Sequence, residues 1–162
     1  MPQFGSYVAM GSKIYVFNNM TSLSIDCISH TAQPLPSMPV VMEVTMADMI
    51  DGRIYVIGYK STRRRVMVVF NTETQTWEPE TIKIDTEVNM WMCECVVMGG
   101  KMYFRDRRRI ALFTSQRENK LRAYDSEKKC WGVVKGVEEL LAMEKVLGGG
   151  DCELRWETFF VP

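Results

Sequence analysis

The chain has little of what catalysis and metal binding usually require. Its 162 residues hold one histidine, His30, so a site built on several imidazoles cannot form within it. The five cysteines (Cys27, Cys93, Cys95, Cys130 and Cys152) are odd in number, and their spacing suggests no disulfide framework. Cys93 and Cys95 form the one close pair, and in a strand their thiols share a face. That is half of a zinc site at most, since about four ligands are needed. The bland reading is free thiols used as small hydrophobes in a reducing compartment, cytoplasm or nucleus. No apolar stretch approaches ~18 residues, so no membrane-spanning helix is expected. The first residues, Met1-Pro2-Gln3-Phe4-Gly5, have neither a basic nor an apolar leader region, so no secretory signal is expected. Twenty Lys and Arg cancel twenty Asp and Glu, which removes any overall bias toward nucleic acid. Neither a Gly-x-Ser-x-Gly elbow nor a phosphate-binding glycine loop is present. An enzyme is therefore not expected.

What is present is enough for a core: 46% hydrophobic residues, with a mean hydropathy of −0.12, in a length that suits one domain. The chain also repeats a phrase three times. Met10-Gly11-Ser12-Lys13-Ile14-Tyr15-Val16-Phe17, Ile50-Asp51-Gly52-Arg53-Ile54-Tyr55-Val56-Ile57 and Met98-Gly99-Gly100-Lys101-Met102-Tyr103-Phe104 each join an apolar run, a glycine turn, a basic residue and an apolar-Tyr-apolar run. The tyrosines are 40 and 48 residues apart. A period of about 40–50 residues with several short strands per repeat marks a propeller or array.

Turn residues between short Val, Ile, Tyr, Met and Phe runs predict all-β structure. In the second repeat, strands are expected at Val44–Ile50, Arg53–Ile57 and Arg65–Asn71, with a short outer strand from Trp77. Asp51-Gly52 suits the positive φ of a hairpin turn, and Gly58 to Arg64 reads as a loop. In the first repeat the strands are Ser6–Met10, Lys13–Phe17 and Ser22–Asp26, followed by a turn over Cys27-Ile28-Ser29-His30-Thr31. In the third they are Trp91–Met98, Lys101–Arg105, Lys120–Tyr124 and Trp131–Val134. After Gly136, the spacing of Val137, Leu140, Leu141 and Leu147 suggests a short helix. Alternation at Leu154, Trp156, Thr158 and Phe160 suggests a last strand.

These residues resemble the kelch repeat, and more closely the kelch region of plant F-box/kelch-repeat proteins. The likeness rests on Ile54-Tyr55-Val56-Ile57-Gly58 with Val69-Phe70-Asn71-Thr72-Glu73-Thr74-Gln75-Thr76-Trp77-Glu78-Pro79. It rests equally on Leu121-Arg122-Ala123-Tyr124-Asp125-Ser126-Glu127-Lys128-Lys129-Cys130-Trp131 and Val133-Val134-Lys135-Gly136-Val137-Glu138-Glu139-Leu140. The resemblance implies a partial kelch-type β-propeller of three blades plus a C-terminal fragment, each blade with four antiparallel strands. The repeats run at approximately 5–39, 42–80 and 90–135, with 136–162 degenerate. Tyr15, Tyr55, Gly58, Trp77, Tyr103 and Trp131 are its structural positions. Some kelch propellers are copper oxidases, but one histidine cannot hold that metal, so no cofactor is expected.

The departures from the pattern are equally specific. The first repeat has Phe17-Asn18-Asn19 where paired glycines belong and Thr31-Ala32 where tryptophan belongs. The second keeps one glycine of the pair, Gly58. The third runs 21 residues from Tyr103 to Tyr124, against 15 from Tyr55 to Phe70, which reads either as two fused blades or as one long connection. No F-box, the helical module that docks the ligase adaptor, is found. A propeller needs about 4–8 blades, so the chain reads as a fragment, a shortened paralogue or half of an assembly that closes by pairing.

Two arginine runs, Arg63-Arg64-Arg65 and Arg107-Arg108-Arg109, follow the second strand of their repeats. In a propeller they leave from one rim, where guanidinium groups take carboxylates or phosphates. Against this stands a solvated basic loop balanced by nearby acids. The thirteen methionines read as plastic core filler, and His30 as an exposed turn residue. The resemblance implies a protein-interaction module that captures substrates for a cullin-type ubiquitin ligase, with protein partners that include acidic segments. It implies an adaptor only where an F-box is present, and self-association as a route to closure. The alternatives are a polyanion or nucleic-acid binder using the arginine runs, or a truncated product without a stable fold.

Overall fold

The computed structural model describes residues 5–19, 21–62, 64–84, 93–106 and 121–136. The predicted helix and last strand beyond Gly136 lie outside them. Within them the chain is all β: β1 (Gly5–Met10), β2 (Lys13–Asn18), β3 (Ser22–Asp26), β4 (Thr31–Pro34), β5 (Glu43–Ile50), β6 (Arg53–Tyr59), β7 (Arg65–Asn71), β8 (Thr76–Trp77), β9 (Ile82–Lys83), β10 (Cys93–Met98), β11 (Lys101–Asp106), β12 (Leu121–Asp125) and β13 (Cys130–Val133). They form three antiparallel sheets, ordered β1-β2-β3-β4, β5-β6-β7-β8 with β9 beside β7, and β10-β11-β12-β13. β11 pairs with β12 from Lys101↔Asp125 to Arg105↔Leu121, so the described strands on either side of the long third-repeat segment belong to one sheet; residues 107–120 lie outside the described ones.

The turns follow from their residues. Asp51 and Gly52 both have positive φ (47° and 72°), as do Gly99 and Gly100 (56° and 69°). That is the backbone a two-residue hairpin turn requires to match strand twist. The turns joining third to fourth strands repeat more closely still. Each opens on Asp26, Asn71 or Asp125 and ends on a residue of positive φ: His30 (55°), Gln75 (57°) or Lys129 (50°). The opening side-chain oxygen accepts backbone N–H bonds from Ile28 and Ser29 (2.9 and 3.1 Å), from Glu73 and Thr74 (2.9 and 3.1 Å), and from Lys128 (3.0 Å). His30 is thus an exposed turn residue.

The middle sheet is buried on both faces. Ile54 to Tyr59 and Val66 to Phe70 are all buried, which explains why these strands read as unbroken apolar runs. Alternation splits them between two cores. Tyr55, Ile57, Tyr59, Met67 and Val69 pack against Met102, Phe104 and Tyr124 of the third sheet. Ile54, Val56, Val66, Val68 and Phe70 pack against Val8, Tyr15 and Phe17 of the first. Met42, Met67 and Met102 are buried as fillers. Each sheet therefore has a forward face, turned toward the next sheet, and a backward face, turned toward the previous one.

Three features differ from the sequence expectation. Gly58 does not open a loop: β6 continues through Tyr59, and Gly58 pairs with Val44. Opposite it β5 bulges, with the register shifting between Val44 and Met46. The bulge brings the Glu43 backbone so near that a Cβ on Gly58 would sit 2.9 Å from the Glu43 carbonyl carbon. Glycine is needed there for backbone approach, and φ plays no part. Thr31 does not close a turn but begins β4, a strand with no large apolar residue to announce it. Finally, β9 resumes pairing with β7 at Val66↔Lys83 and Met67↔Ile82, beyond the break at Pro79.

Asn18 and Asn19, which replace the glycine pair, have their own work. Asn18 Oδ1 accepts the Thr21 N–H at 2.6 Å and closes the β2–β3 turn. Asn19 Oδ1 accepts the Val44 N–H at 2.9 Å, and Ser6 Oγ accepts the Ala47 N–H at 2.8 Å. Both satisfy donors on the free edge of β5 and tie the first sheet to the second.

Gly58→Ala is expected to destabilise the fold by about 1–3 kcal/mol, because the added methyl must push the β5 bulge. Urea unfolding measures it, and an unchanged midpoint would contradict this reading of the glycine.

Candidate interaction surface

The same directional contact joins the sheets twice. A tyrosine on the second strand of one sheet lies over an aromatic ring on the third strand of the next. Tyr15 meets Phe70 with centroids 6.1 Å apart, and Tyr55 meets Tyr124 at 6.0 Å. The Tyr15 phenol also reaches the turn beyond that strand, where Gln75 Nε2 donates to its hydroxyl at 3.3 Å; in the equivalent turn of the third sheet the Ser126 hydroxyl donates to the Gly100 carbonyl at 2.7 Å. Burial raises the Tyr55 hydroxyl above its ordinary value and pushes Tyr124 up to about 12, aided by Tyr55 beside it. Both stay protonated donors at neutral pH.

Trp77 and Trp131 close these joints from outside. Trp77 stacks edge-on against Phe70 (5.0 Å) and Phe17 (5.9 Å), and its indole N–H donates to the Pro36 carbonyl at 2.8 Å. Trp131 lies against Tyr124 (5.1 Å) and Phe104 (5.2 Å). Tyr103, paired with Val96 and Ala123, is on the forward face of the third sheet, half-exposed.

The solved structure of YjhT matches this arrangement with a TM-score of 0.57 at 15% identity, over 83% of this chain and 52% of that one. The FKB95 kelch-repeats domain model matches residues 1–114. The chain belongs to the kelch-repeat family. Its sheets are blades of a kelch-type β-propeller. The F-box/kelch-repeat protein At4g38940 of Arabidopsis thaliana is 35% identical over 87% of this chain and 50% of its own length. The F-box/kelch-repeat protein At2g29600 of the same plant is 41% identical over 44% of this chain and 19% of its own. The chain spans about half the length of the curated relatives that it matches over most of its own length.

The kelch blades have two chemically different ends. At the first, where hairpin turns and third-to-fourth-strand turns cluster, cations engage acids: Arg53 with Glu78 (3.0 Å), Lys101 with Asp125 (3.4 Å) and Lys129 with Glu80 (3.0 Å). At the opposite end, the β6–β7 loop carries Lys60 and Arg64. It is closed by the Lys60 N–H donating to the Arg64 carbonyl at 2.9 Å. Arg64 is exposed. Arg65 opens β7 with its guanidinium 5.8 Å from the centre of the Tyr59 ring, so it is held by a cation–π contact. Lys83, unremarked in the sequence because β9 was not foreseen, joins this end by pairing beside Val66. Arg63 and Arg107, Arg108 and Arg109 lie outside the described residues, but β11, which leads into the second run, is the counterpart of β6.

Among the described residues no cluster of metal-ligating side chains occurs, and no helix is long and apolar enough to cross a membrane. Cys27 and Cys130 are exposed free thiols, and Cys95 packs against the core between the second and third blades.

Acid stability follows from the turn carboxylates. Backbone N–H bonds, chiefly from Ser29, hold Asp26 below the usual carboxylate range, and that from Lys128 does the same for Asp125. A lowered folded pKa contributes stability above the unfolded value near 3.8, and that contribution is lost as pH falls through the folded value. Stability should therefore drop below about pH 4. The double variant Asp26→Asn/Asp125→Asn, which copies Asn71, should flatten that slope in urea midpoints, and identical slopes would contradict it. Asp48 has the opposite sign. Burial raises it against the Met49 N–H it accepts, so its ionisation costs stability as pH rises through the raised value. Asp48→Asn should raise the midpoint at neutral pH and lose that advantage on acidification; no gain at neutral pH would contradict it.

Proposed function

We propose that this chain is the protein-capturing part of an F-box/kelch-type ubiquitin ligase, and that it holds its partner at the arginine-bearing end of the blades. Kelch repeats in this family form protein-interaction modules, and the relatives that match most of this chain carry an F-box in their names. The single observation that carries the choice of surface is the gathering of Lys60, exposed Arg64 and Lys83 around one loop end of the second blade, with Arg63 beside them in sequence. The second run, Arg107 to Arg109, follows the corresponding strand of the next blade.

Guanidinium groups take carboxylates and phosphates in paired hydrogen bonds. The partner segment this chemistry suits is acidic or phosphorylated. Stiff blades with the arginines on loops are a common way to present such groups. On this reading the module performs no chemistry and needs no cofactor. It brings a substrate to a ligase only when joined to an F-box, in a reducing compartment that leaves its thiols free.

The test is quantitative binding to a protein captured with the wild-type chain and then purified. The variant Arg63→Glu/Arg64→Glu/Arg107→Glu/Arg108→Glu should bind it at least ~10-fold more weakly, a loss near 1.4 kcal/mol, with an unchanged thermal melt. Fused to an F-box, the wild-type chain should support ubiquitin transfer to that protein and the variant should not. Equal binding by the variant would move the site elsewhere. Tight binding to DNA or RNA with a steep salt dependence, and none to protein, would favour the polyanion reading.

A further inference from the structure

The β6–β7 connection sets three cations side by side. The Tyr59↔Arg65 register continues into the Lys60 N–H donating to the Arg64 carbonyl at 2.9 Å, so Lys60 and Arg64 are the next facing pair. Lys83 faces Val66 from β9, and Val66 stands two residues beyond Arg64. Residues two apart on a strand share a face. Lys60, Arg64 and Lys83 therefore belong to the backward face of the second blade, at its edge. Arg65, on the ring of Tyr59, belongs to the forward face, and so does Glu43, which faces Tyr59 from β5.

Facing β-carbons stand about 5 Å apart and diagonal neighbours about 7–8 Å, and like charges at these places oppose pairing. Among the described residues, no acid forms an ion pair with any of the three cations. Between the facing pair, at the tip of the connection, are two hydroxyl residues, Ser61 and Thr62. Both are exposed, and neither belongs to a core.

We infer that Ser61 or Thr62 is a phosphorylation site, and that Lys60, Arg64 and Lys83 hold the phosphate. Once made, the phosphate closes this basic face to the acidic segment that the chain captures. That consequence rests on the function proposed above, whereas the site itself rests on register, charge and exposure.

The chemistry suits the place. A phosphate ester carries about −1.5 to −2 charge at pH 7 and three strong acceptor oxygens. Guanidinium takes it in paired bonds and ammonium as a point charge, so the repulsion among the three cations becomes attraction to a common anion. A carboxylate at the tip would neutralise them permanently, while a hydroxyl does so only when modified. The tip is closed by the Lys60–Arg64 backbone bond and lies outside both cores, so it can open to an enzyme without disturbing the sheets. A nucleoside triphosphate and a protein kinase directed to basic segments supply the group. The hydroxyl oxygen bonds to the γ-phosphorus as the bond from that phosphorus to the β,γ-bridging oxygen breaks. The nucleoside diphosphate leaves with the electron pair, and the hydroxyl proton passes to the kinase's base.

The test starts from the folded 162-residue chain, incubated with magnesium ATP and an arginine-directed protein kinase, with the products mapped by mass spectrometry. Phosphate should appear at Ser61 or Thr62 and be lost from Ser61→Ala/Thr62→Ala. No labelling, or labelling only elsewhere, would overturn the inference. Phosphorus NMR then reads the seat. The phosphate should titrate below its ordinary value of about 6, because neighbouring cations favour the dianion. Lys60→Ala/Lys83→Ala removes two of those cations without touching a core and should shift the titration back upward. The same titration in both proteins would mean that the cations do not hold the phosphate. Finally, the phosphorylated chain should bind the captured partner at least ~10-fold more weakly than the unmodified chain. If both bind alike while the four-arginine charge reversal abolishes binding, the switch fails and the proposed function stands. If the charge reversal also binds alike, the proposed capture surface fails, and mapping and titration still decide the phosphate site.

Discussion

The constraint on which this structure depends is that the middle blade is buried on both faces. A four-stranded sheet of this size has no interior of its own, and its two surfaces become core only when another sheet lies on each. That is why Ile54 to Tyr59 is buried without a break while burial alternates along Lys13 to Asn18, and why the tyrosine-over-aromatic contact recurs at each junction with almost the same separation (6.1 and 6.0 Å). Aromatic pairs of this geometry add about 0.5–1.5 kcal/mol beyond their area burial. The bond from Gln75 to the Tyr15 hydroxyl also fixes the rotation of the first blade on the second. The turns, the Asn19 and Ser6 bonds to β5, and the Trp77 bond to Pro36 all hold blades in the position that this stacking demands.

Much of this was legible in the residues. The thrice-repeated glycine-basic-apolar-Tyr phrase marks the first hairpin of every blade, since positive φ at Asp51-Gly52 and at Gly99-Gly100 follows directly from residue type. The Asp or Asn before the outer turn marks the third strand's end. What could not be read is where backbone geometry, not side-chain pattern, decides. Gly58 looks like a loop opener, yet its role is the close approach of a bulge one strand away. Thr31 to Pro34 forms a strand because β3 offers a free edge, although nothing apolar announces it. Ile82 and Lys83 pair again after Pro79 for the same reason. Asn18 and Asn19 looked like decay of a glycine pair, and they turn out to satisfy a turn and a sheet edge.

The candidate surface was half legible. Arginine runs at equivalent places predict a shared end, and the topology gives β6 and β11 the same position in their blades. The separation of Arg65 from Arg64, one held on the Tyr59 ring and the other turned to solvent, depends on where β7 begins. The addition of Lys83 depends on β9. Three ion pairs gather at one end of the blades and Lys60, Arg64 and Lys83 at the other, an arrangement that composition alone cannot reveal.

The most direct test of the account is a double-mutant cycle at the second junction, Tyr55→Ala and Tyr124→Ala singly and together, read by urea unfolding. If blade stacking through these rings holds the structure, the two losses should be coupled by about 1 kcal/mol, with each single change costing several. Losses that add to within about 0.3 kcal/mol would mean that the rings merely fill space, and that the blades are joined by something else.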